Sequence, residues 1–293
     1  MSKYVISCCS TADLNKEHFE KRDIKYVCFH FEINGKQYLD DGKYPIADFY
    51  NDMAKGAMTK TSQVNTEEYI DHFKPFLEKG YDILHLTLSS GISGSINSAT
   101  IAADVLSSEF PERKIYIVDS LAASSGYGLL MDEIADRRDA GMDIDELRDW
   151  VLEHRLNINH WFFTTDLTYL VRGGRVSKAA GFFGGALKIC PLLNVDFEGR
   201  LIARAKLRGK PAVIRAAANK MLECAEGGAD YNGKCYISQS ACREDAEELI
   251  AEIEKHIPAM KGKIEVYDIG TTIGSHTGPG TVALFFVGKK RVD

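Results

Sequence analysis

Nowhere in its 293 residues does the chain hold about 18 consecutive apolar residues, the length a membrane-spanning helix requires. The apolar run Tyr4–Cys9 is too short for the hydrophobic segment of a secretory leader, so a cytoplasmic protein with at most transient contact with a membrane surface is expected. Cysteine is sparse and scattered. The seven (Cys8, Cys9, Cys28, Cys190, Cys224, Cys235, Cys242) are odd in number and never spaced as Cys-x-x-Cys, which argues against a disulfide framework or a zinc site and for small buried hydrophobes. Also missing are a Gly-Lys-Ser/Thr phosphate loop, a cluster of metal-ligating side chains and an obvious general-base pair. No catalytic residue, no metal and no cofactor beyond a bound ligand is therefore expected. The formal net charge of -6 argues against nucleic acid as a partner.

What is present is enough apolar material, 45% of the residues, to bury a substantial core, and enough length for two domains. In the first half, short β-rich runs at residues 4–7, 25–31, 83–88 and 115–118 alternate with helical stretches at 96–106, 125–138 and 144–154. That alternation predicts an α/β domain with a largely parallel sheet. A further capped helix begins near Thr66, and Gly141 followed by Asp143 marks one helix stop and the next N-cap. Beyond residue 157 the pattern becomes more antiparallel: a strand at 161–164, a hairpin of 193–196 with 201–205 around Glu198-Gly199, and strands at 235–237, 263–267 and 282–287. Helices fit residues 211–224 and 244–256. The expected organisation is an α/β domain over residues 1–157 and a mixed α+β domain over 158–293.

Charge is unevenly spread. Residues 172–215 hold ten basic and two acidic side chains, so this stretch carries +8 and the remainder -14. It reads either as a solvated face or as a dock for an anionic partner.

Ser89-Ser90-Gly91-Ile92-Ser93-Gly94-Ser95 follows an apolar strand and leads into a helical pattern. Such a turn binds anions: glycines let the backbone approach, first-turn N–H groups lack intrahelical partners, and the helix dipole favours negative charge. The plainer reading is a strand-to-helix turn capped by serine. A hydrolase nucleophile would need Gly-x-Ser-x-Gly, and here the second glycine comes one place early. Lys60-Thr61-Ser62-Gln63 reads as a polar loop. Residues 273–281 read as a Gly-dense loop holding His276, a potential donor to a carboxylate or phosphate. Residues 167–177 read as a helical turn ending at Gly173-Gly174, with Arg175 placed to bind phosphate or to be a solvated arginine after a C-cap.

In order and spacing, Thr61-Ser62-Gln63, the Ser/Gly string at 89–95, Val118-Asp119-Ser120, the stretch from Leu167 to Gly173-Gly174-Arg175, and residues 273–280 together resemble the DegV family, the fatty-acid-binding subunits of bacterial fatty acid kinase. The resemblance covers essentially the whole chain. It implies a long-chain fatty acid held between the two domains, its carboxylate contacted by Thr61, Ser93 and His276, with Gly94 in the same turn. It further implies a separate ATP-binding kinase subunit that phosphorylates the carboxylate to an acyl-phosphate for phospholipid synthesis. Arg172, Arg175, Arg200 and Arg204 are the candidate phosphate or kinase contacts. Two positions depart from the family pattern: Cys9 stands where an acidic residue is frequent, and Val64 where a proline is frequent. The alternative from another class is a serine hydrolase acting on a lipid or small ester through Ser93 and His276; a third is a binder of a phosphorylated metabolite in the same turn. Phe182, Phe183, Leu187, Ile189, Leu192 and Leu193 read as tail lining or as ordinary core.

Overall fold

The computed structural model describes residues 3–176 and 189–292. From the N-terminus, β1 (Tyr4–Cys9), α1 (Lys16–Lys21) and β2 (Lys25–Val27) are followed by β3 (His30–Ile33), β4 (Lys36–Leu39), α2 (Ile46–Ala54) and β5 (Thr59–Ser62). Next come α3 (Thr66–Glu78), β6 (Asp82–Thr87), α4 (Ser95–Glu109), β7 (Ile115–Asp119), α5 (Ser124–Asp139) and α6 (Ile144–His154). The C-terminal part runs β8 (Ile158–Thr164), α7 (Thr168–Arg172), β9 (Ile189–Val195), β10 (Leu201–Arg208), α8 (Lys210–Cys224), β11 (Cys235–Gln239), α9 (Arg243–His256), β12 (Glu265–Asp268), α10 (Thr271–Thr277) and β13 (Thr281–Val287).

An α/β part with a parallel sheet, ordered β2-β1-β6-β7, is joined to a mixed α+β part built on a six-stranded sheet, ordered β10-β9-β8-β13-β11-β12. In the second sheet the pairs are antiparallel except β11 with β12. A small antiparallel sheet, β4-β3-β5, lies apart. Helix boundaries follow their caps: Asn65 and Asp143 each close a capping box, with Glu68 and Glu146, so α3 and α6 start where the sequence places them.

Helix α5 runs between the two main sheets. Every residue from Ser124 to Asp132 is buried, and the helix contacts β1 on one side and β8, β11 and β13 on the other. Two glycines permit this. A Cβ on Gly126 would come 2.4 Å from both His160 Nε2 and Phe285 Cδ1, and one on Gly128 would come 2.6 Å from the Ala12 carbonyl. Midway along the helix, Asp132 joins the two parts: its carboxylate pairs with Arg22 after α1 and Lys234 before β11, and accepts from His18 in α1 and Tyr236 in β11. At the C-terminus, buried Arg291 donates to the carbonyls of Val195, Asp196, Leu121 and Arg155.

Three expectations are corrected. The single strand at 25–31 is two strands in different sheets, because Phe29 leaves the parallel sheet to donate its N–H to Ser10 Oγ and accept from Asp40 N–H. The polar loop at Thr61 is strand β5, paired with β3 so that Thr61 faces Phe31; its Thr-Lys-Thr-Ser sequence carries no apolar alternation to announce it. The Gly-dense loop around His276 contains helix α10, and its Gly274 gives room to Tyr50, whose hydroxyl would lie 2.3 Å from a Cβ there. Of the apolar cluster, Ile189, Leu192 and Leu193 belong to β9, with Leu192 and Leu193 buried in the core; Phe182, Phe183 and Leu187 lie outside the described residues, as does Lys178 of the basic stretch. The described cysteines are all free, four buried and three partly so.

Candidate functional site

A cavity of about 370 Å3 lies between the parallel and six-stranded sheets, within the range of small-molecule sites. Its long wall is one face of the β8/β13 pair. Alternate residues Thr281, Ala283 and Phe285 face it from β13, with Phe162 and His160 opposite on β8. At about 3.4 Å per residue, this wall runs roughly 14 Å. Leu88, Ile92, Val195, Leu201, Ile269 and Ile273 complete a mainly apolar lining.

Polar side chains gather at the end where α10 meets β5. Thr61 Oγ1 lies 2.8 Å from His276 Nε2, a pair 215 positions apart in sequence. The imidazole is largely buried, and burial, followed by the nearby positive charge of Arg175, pushes its pKa down to about 4. It is therefore neutral near pH 7. Ser93 lines the same cavity; its Oγ accepts the Ser95 N–H at 3.2 Å, at the amino end of α4. That bond uses an oxygen lone pair and leaves the hydroxyl proton free to donate. Arg175, half-buried, completes the group: Nε donates to the Ile92 carbonyl at 3.2 Å and Nη1 to the Gly173 carbonyl at 2.6 Å. Burial pulls its pKa down from the usual guanidinium value, yet an arginine stays charged. Two hydroxyls, a neutral imidazole and a guanidinium thus meet at one end of a greasy slot, an arrangement that can satisfy a carboxylate.

Thr61, Ser93 and His276 are brought together, and Arg175 joins them inside the cavity. Gly94, the N-cap residue of α4, is exposed and outside the cavity lining; a Cβ there would come 3.1 Å from Gln63 Oε1. The other three arginines lie elsewhere. Arg172 is exposed, donates to Met58 Sδ at 2.7 Å and sits 4.9 Å over the Tyr169 ring. Arg200 is exposed beside the β9–β10 turn in an ion pair with Glu198, and Arg204 donates to Asn194 Oδ1 from the exposed face of β10. Arg204, Lys206 and Arg208 alternate along that edge strand, a distribution that also keeps a sheet edge from pairing.

Among the described residues no hydrogen bond links Ser93 to His276, and no carboxylate orients the imidazole. The geometry therefore lacks the nucleophile–base contact of a serine hydrolase. No group of three or more metal-ligating side chains is found among the described residues. Nor is any described helix long and apolar enough to cross a membrane. Cys9, at the family's acidic position, lies outside the cavity lining: buried, it reaches Tyr69 Oη at 3.3 Å and His85 Nε2 at 3.8 Å, and burial pushes its thiol up to about 11. Val64, after β5, is fully buried core.

Sequence reasoning missed His160 at the far end of the cavity, Arg291, and the role of Ser89. Ser89 Oγ donates to the Gly199 carbonyl at 2.8 Å, so the first serine of the string docks the turn onto the hairpin and stands outside the cavity lining. Only the density of serine and glycine at 89–95 hinted that several jobs share this turn.

The family model described as "Uncharacterised protein, DegV family" matches residues 4–289. A DegV domain-containing protein of Clostridium perfringens is 36% identical over 290 residues, covering 98% of each chain. A Thermotoga maritima protein, whose solved structure is said to reveal a fatty acid binding function, is 28% identical and superposes with a TM-score of 0.82 over 99% of this chain and 100% of its own. The Streptococcus pneumoniae fatty acid kinase B3 protein, solved with linoleic acid, shares the fold at 21% identity, with a TM-score of 0.83 over 99% and 100% of the two chains.

Proposed function

Because this chain belongs to the DegV family, we propose that it carries one long-chain fatty acid in the cavity between its two parts, as domains 1–157 and 158–293, with the carboxylate at Thr61, Ser93, Gly94 and His276. The observation that carries the reading is the Thr61–His276 pair, with Ser93 and Arg175 beside it, at one end of an otherwise apolar slot. The fatty acid binding ascribed to the Thermotoga relative supports it.

Physical chemistry divides the labour. Burying about 15 methylenes gains roughly 12 kcal/mol gross at about 0.8 each, before association and ordering are subtracted. The tail therefore dominates affinity. A carboxylate withdrawn from water is tolerated only where its oxygens are satisfied, so the polar end fixes direction and selects the acid over neutral analogues.

The finer reading is that the chain performs no chemistry itself. A separate ATP-binding kinase subunit phosphorylates the presented carboxylate, and the acyl-phosphate feeds phospholipid synthesis in the cytoplasm. Arg175 then offsets charge gathering on the carboxyl oxygens, while Arg172, Arg200 and Arg204 face outward where a partner can dock.

Denaturing the purified protein, extracting it with organic solvent and identifying the released molecule by mass spectrometry tests the carrier reading. About one fatty acid per chain is expected. A phosphorylated metabolite, or failure of the protein to take up added fatty acid, would overturn it. Adding ATP and the kinase subunit tests the finer reading, with acyl-phosphate as the product sought.

A further inference from the structure

We infer that Gly173 is a positioning residue: its missing side chain seats the His276 ring in one tautomer, which turns Thr61 into a hydrogen-bond donor toward the ligand. The inference rests on the reading of this cavity end as a carboxylate site. A Cβ on Gly173 would lie 2.2 Å from His276 Nδ1 and 3.2 Å from Cε1 and Cγ. The ring edge therefore occupies the space a side chain would fill. Backbone geometry gives no other reason for glycine here, because Gly173 has φ -72 and ψ -9, angles any residue adopts. The following Gly174, by contrast, sits at φ +71, where the chain turns and the Arg175 N–H returns to the Leu170 carbonyl. One glycine makes room for the histidine; the other aims the arginine.

The tautomer follows from what each nitrogen meets. Nδ1 is buried, has no hydrogen-bond partner and abuts the Gly173 Cα. A proton on Nδ1 would be a buried donor driven against C–H groups. A lone pair there meets a weak C–H donor and is the lesser penalty. The neutral ring has a single N–H, which then sits on Nε2 and is donated to Thr61 Oγ1 at 2.8 Å. Thr61 accepts that bond and keeps its own proton for the ligand. In the opposite tautomer the Thr61 proton would go to Nε2, leaving only lone pairs toward a carboxylate. Selectivity for an acid thus depends on a glycine that need not touch the acid.

The test begins with the wild-type protein, whose histidines are 15N-labelled and whose His276 ring is assigned by comparison with His276→Gln. Long-range proton–nitrogen correlation should show the Nε2–H form. Gly173→Ala should abolish that signature and weaken palmitate binding about tenfold or more, the scale of one hydrogen bond to a charged group. Binding of hexadecanol, which lacks the carboxylate, should hold within about twofold on the same scale. Thr61→Val should add little on top of Gly173→Ala. A wild-type ring protonated at Nδ1 overturns the inference, even if Gly173→Ala fails to fold. So does a Gly173→Ala protein that keeps the Nε2–H signature and its palmitate affinity, or one that loses hexadecanol as severely as palmitate. If the wild type binds no fatty acid, the carrier reading falls instead, and the ring signature still reports on the tautomer.

Discussion

The Ser89 hydroxyl and the Gly199 carbonyl meet at 2.8 Å, joining the turn that bears Ser93 to the tip of the β9–β10 hairpin. The fit is close. A Cβ on Gly199 would fall 2.0 Å from Ser89 Oγ, and one on Gly91 would fall 2.5 Å from the Gly199 oxygen. Gly199 also sits at φ +75, so its lack of a side chain serves both conformation and contact.

Gly199→Ala should therefore destabilise the protein by about 2–4 kcal/mol, combining left-handed strain with a steric clash. Gly35→Ala is the control: Gly35 has φ +74 but nothing within 4 Å of the place a Cβ would take, so only the strain of about 1 kcal/mol applies. Thermal unfolding of the two variants separates the terms. Equal losses would show that the docking contact contributes nothing.

Thr61→Val and Ser93→Ala should each weaken fatty-acid binding about ten- to a hundredfold while leaving the matching alcohol nearly unaffected, because each removes one donor to a charged oxygen. Competition against a fluorescent fatty acid measures both. An acyl adduct on Ser93 after incubation with activated esters would instead revive the hydrolase reading.

Acid should destabilise the fold in two stages. Burial pushes His72 and His276 down to about 4, and His85 and His160 well below the usual imidazole range. The folded chain holds these rings neutral, whereas an unfolded chain protonates them near about 6.5. Their contribution is complete above that pH and falls away as pH drops from about 6.5 toward 4, where His72 and His276 take up protons in the folded state too. Asp132 acts lower still. Against the opposing effect of burial, its bonds to His18 and Lys234 hold its carboxyl below the usual range. Its stabilisation is present above about 3.9 and disappears as pH falls through the folded value. The melting temperature should fall steadily between pH 6.5 and 4.5, and less steeply in His85→Gln. A flat profile across that window would contradict the buried-neutral account.

Arg291→Met should cost about 3 kcal/mol or more. The guanidinium satisfies four carbonyls from three separate segments, and methionine fills the volume without a donor. Urea unfolding checks the loss; a change below about 0.5 kcal/mol would mean water replaces the arginine at no penalty.

Charge reversal at Arg200 and Arg204 tests the docking surface. Both are exposed, so Arg200→Glu with Arg204→Glu should leave fatty-acid retention intact while slowing partner-dependent phosphorylation, most strongly at low salt. Unchanged phosphorylation across ionic strengths would remove these residues from the interface.

Much of the fold was legible because local rules agree with it. The caps at Asn65 and Asp143, the apolar β-rich runs and the hairpin around Glu198-Gly199 each follow from a few neighbouring residues. The order of the polar motifs, from Thr61 through Ser93 to His276, likewise marked the family and three residues that line one cavity. Other features were hidden because their causes are not local. Strand β5 exists because β3 offers it a partner, and α5 is buried on both sides because two sheets close over it. The sequence by itself determined the α/β character of the first half, the capped helices and the family to which the chain belongs. Only the tertiary structure decided that Thr61 and His276 share a hydrogen bond, that Arg175 turns inward while Arg172, Arg200 and Arg204 face solvent, and that Ser89 serves as a dock. The physical reason is distance along the chain. Propensities and caps act over a few residues, whereas a hydrogen bond between positions 215 apart depends on how whole sheets pack.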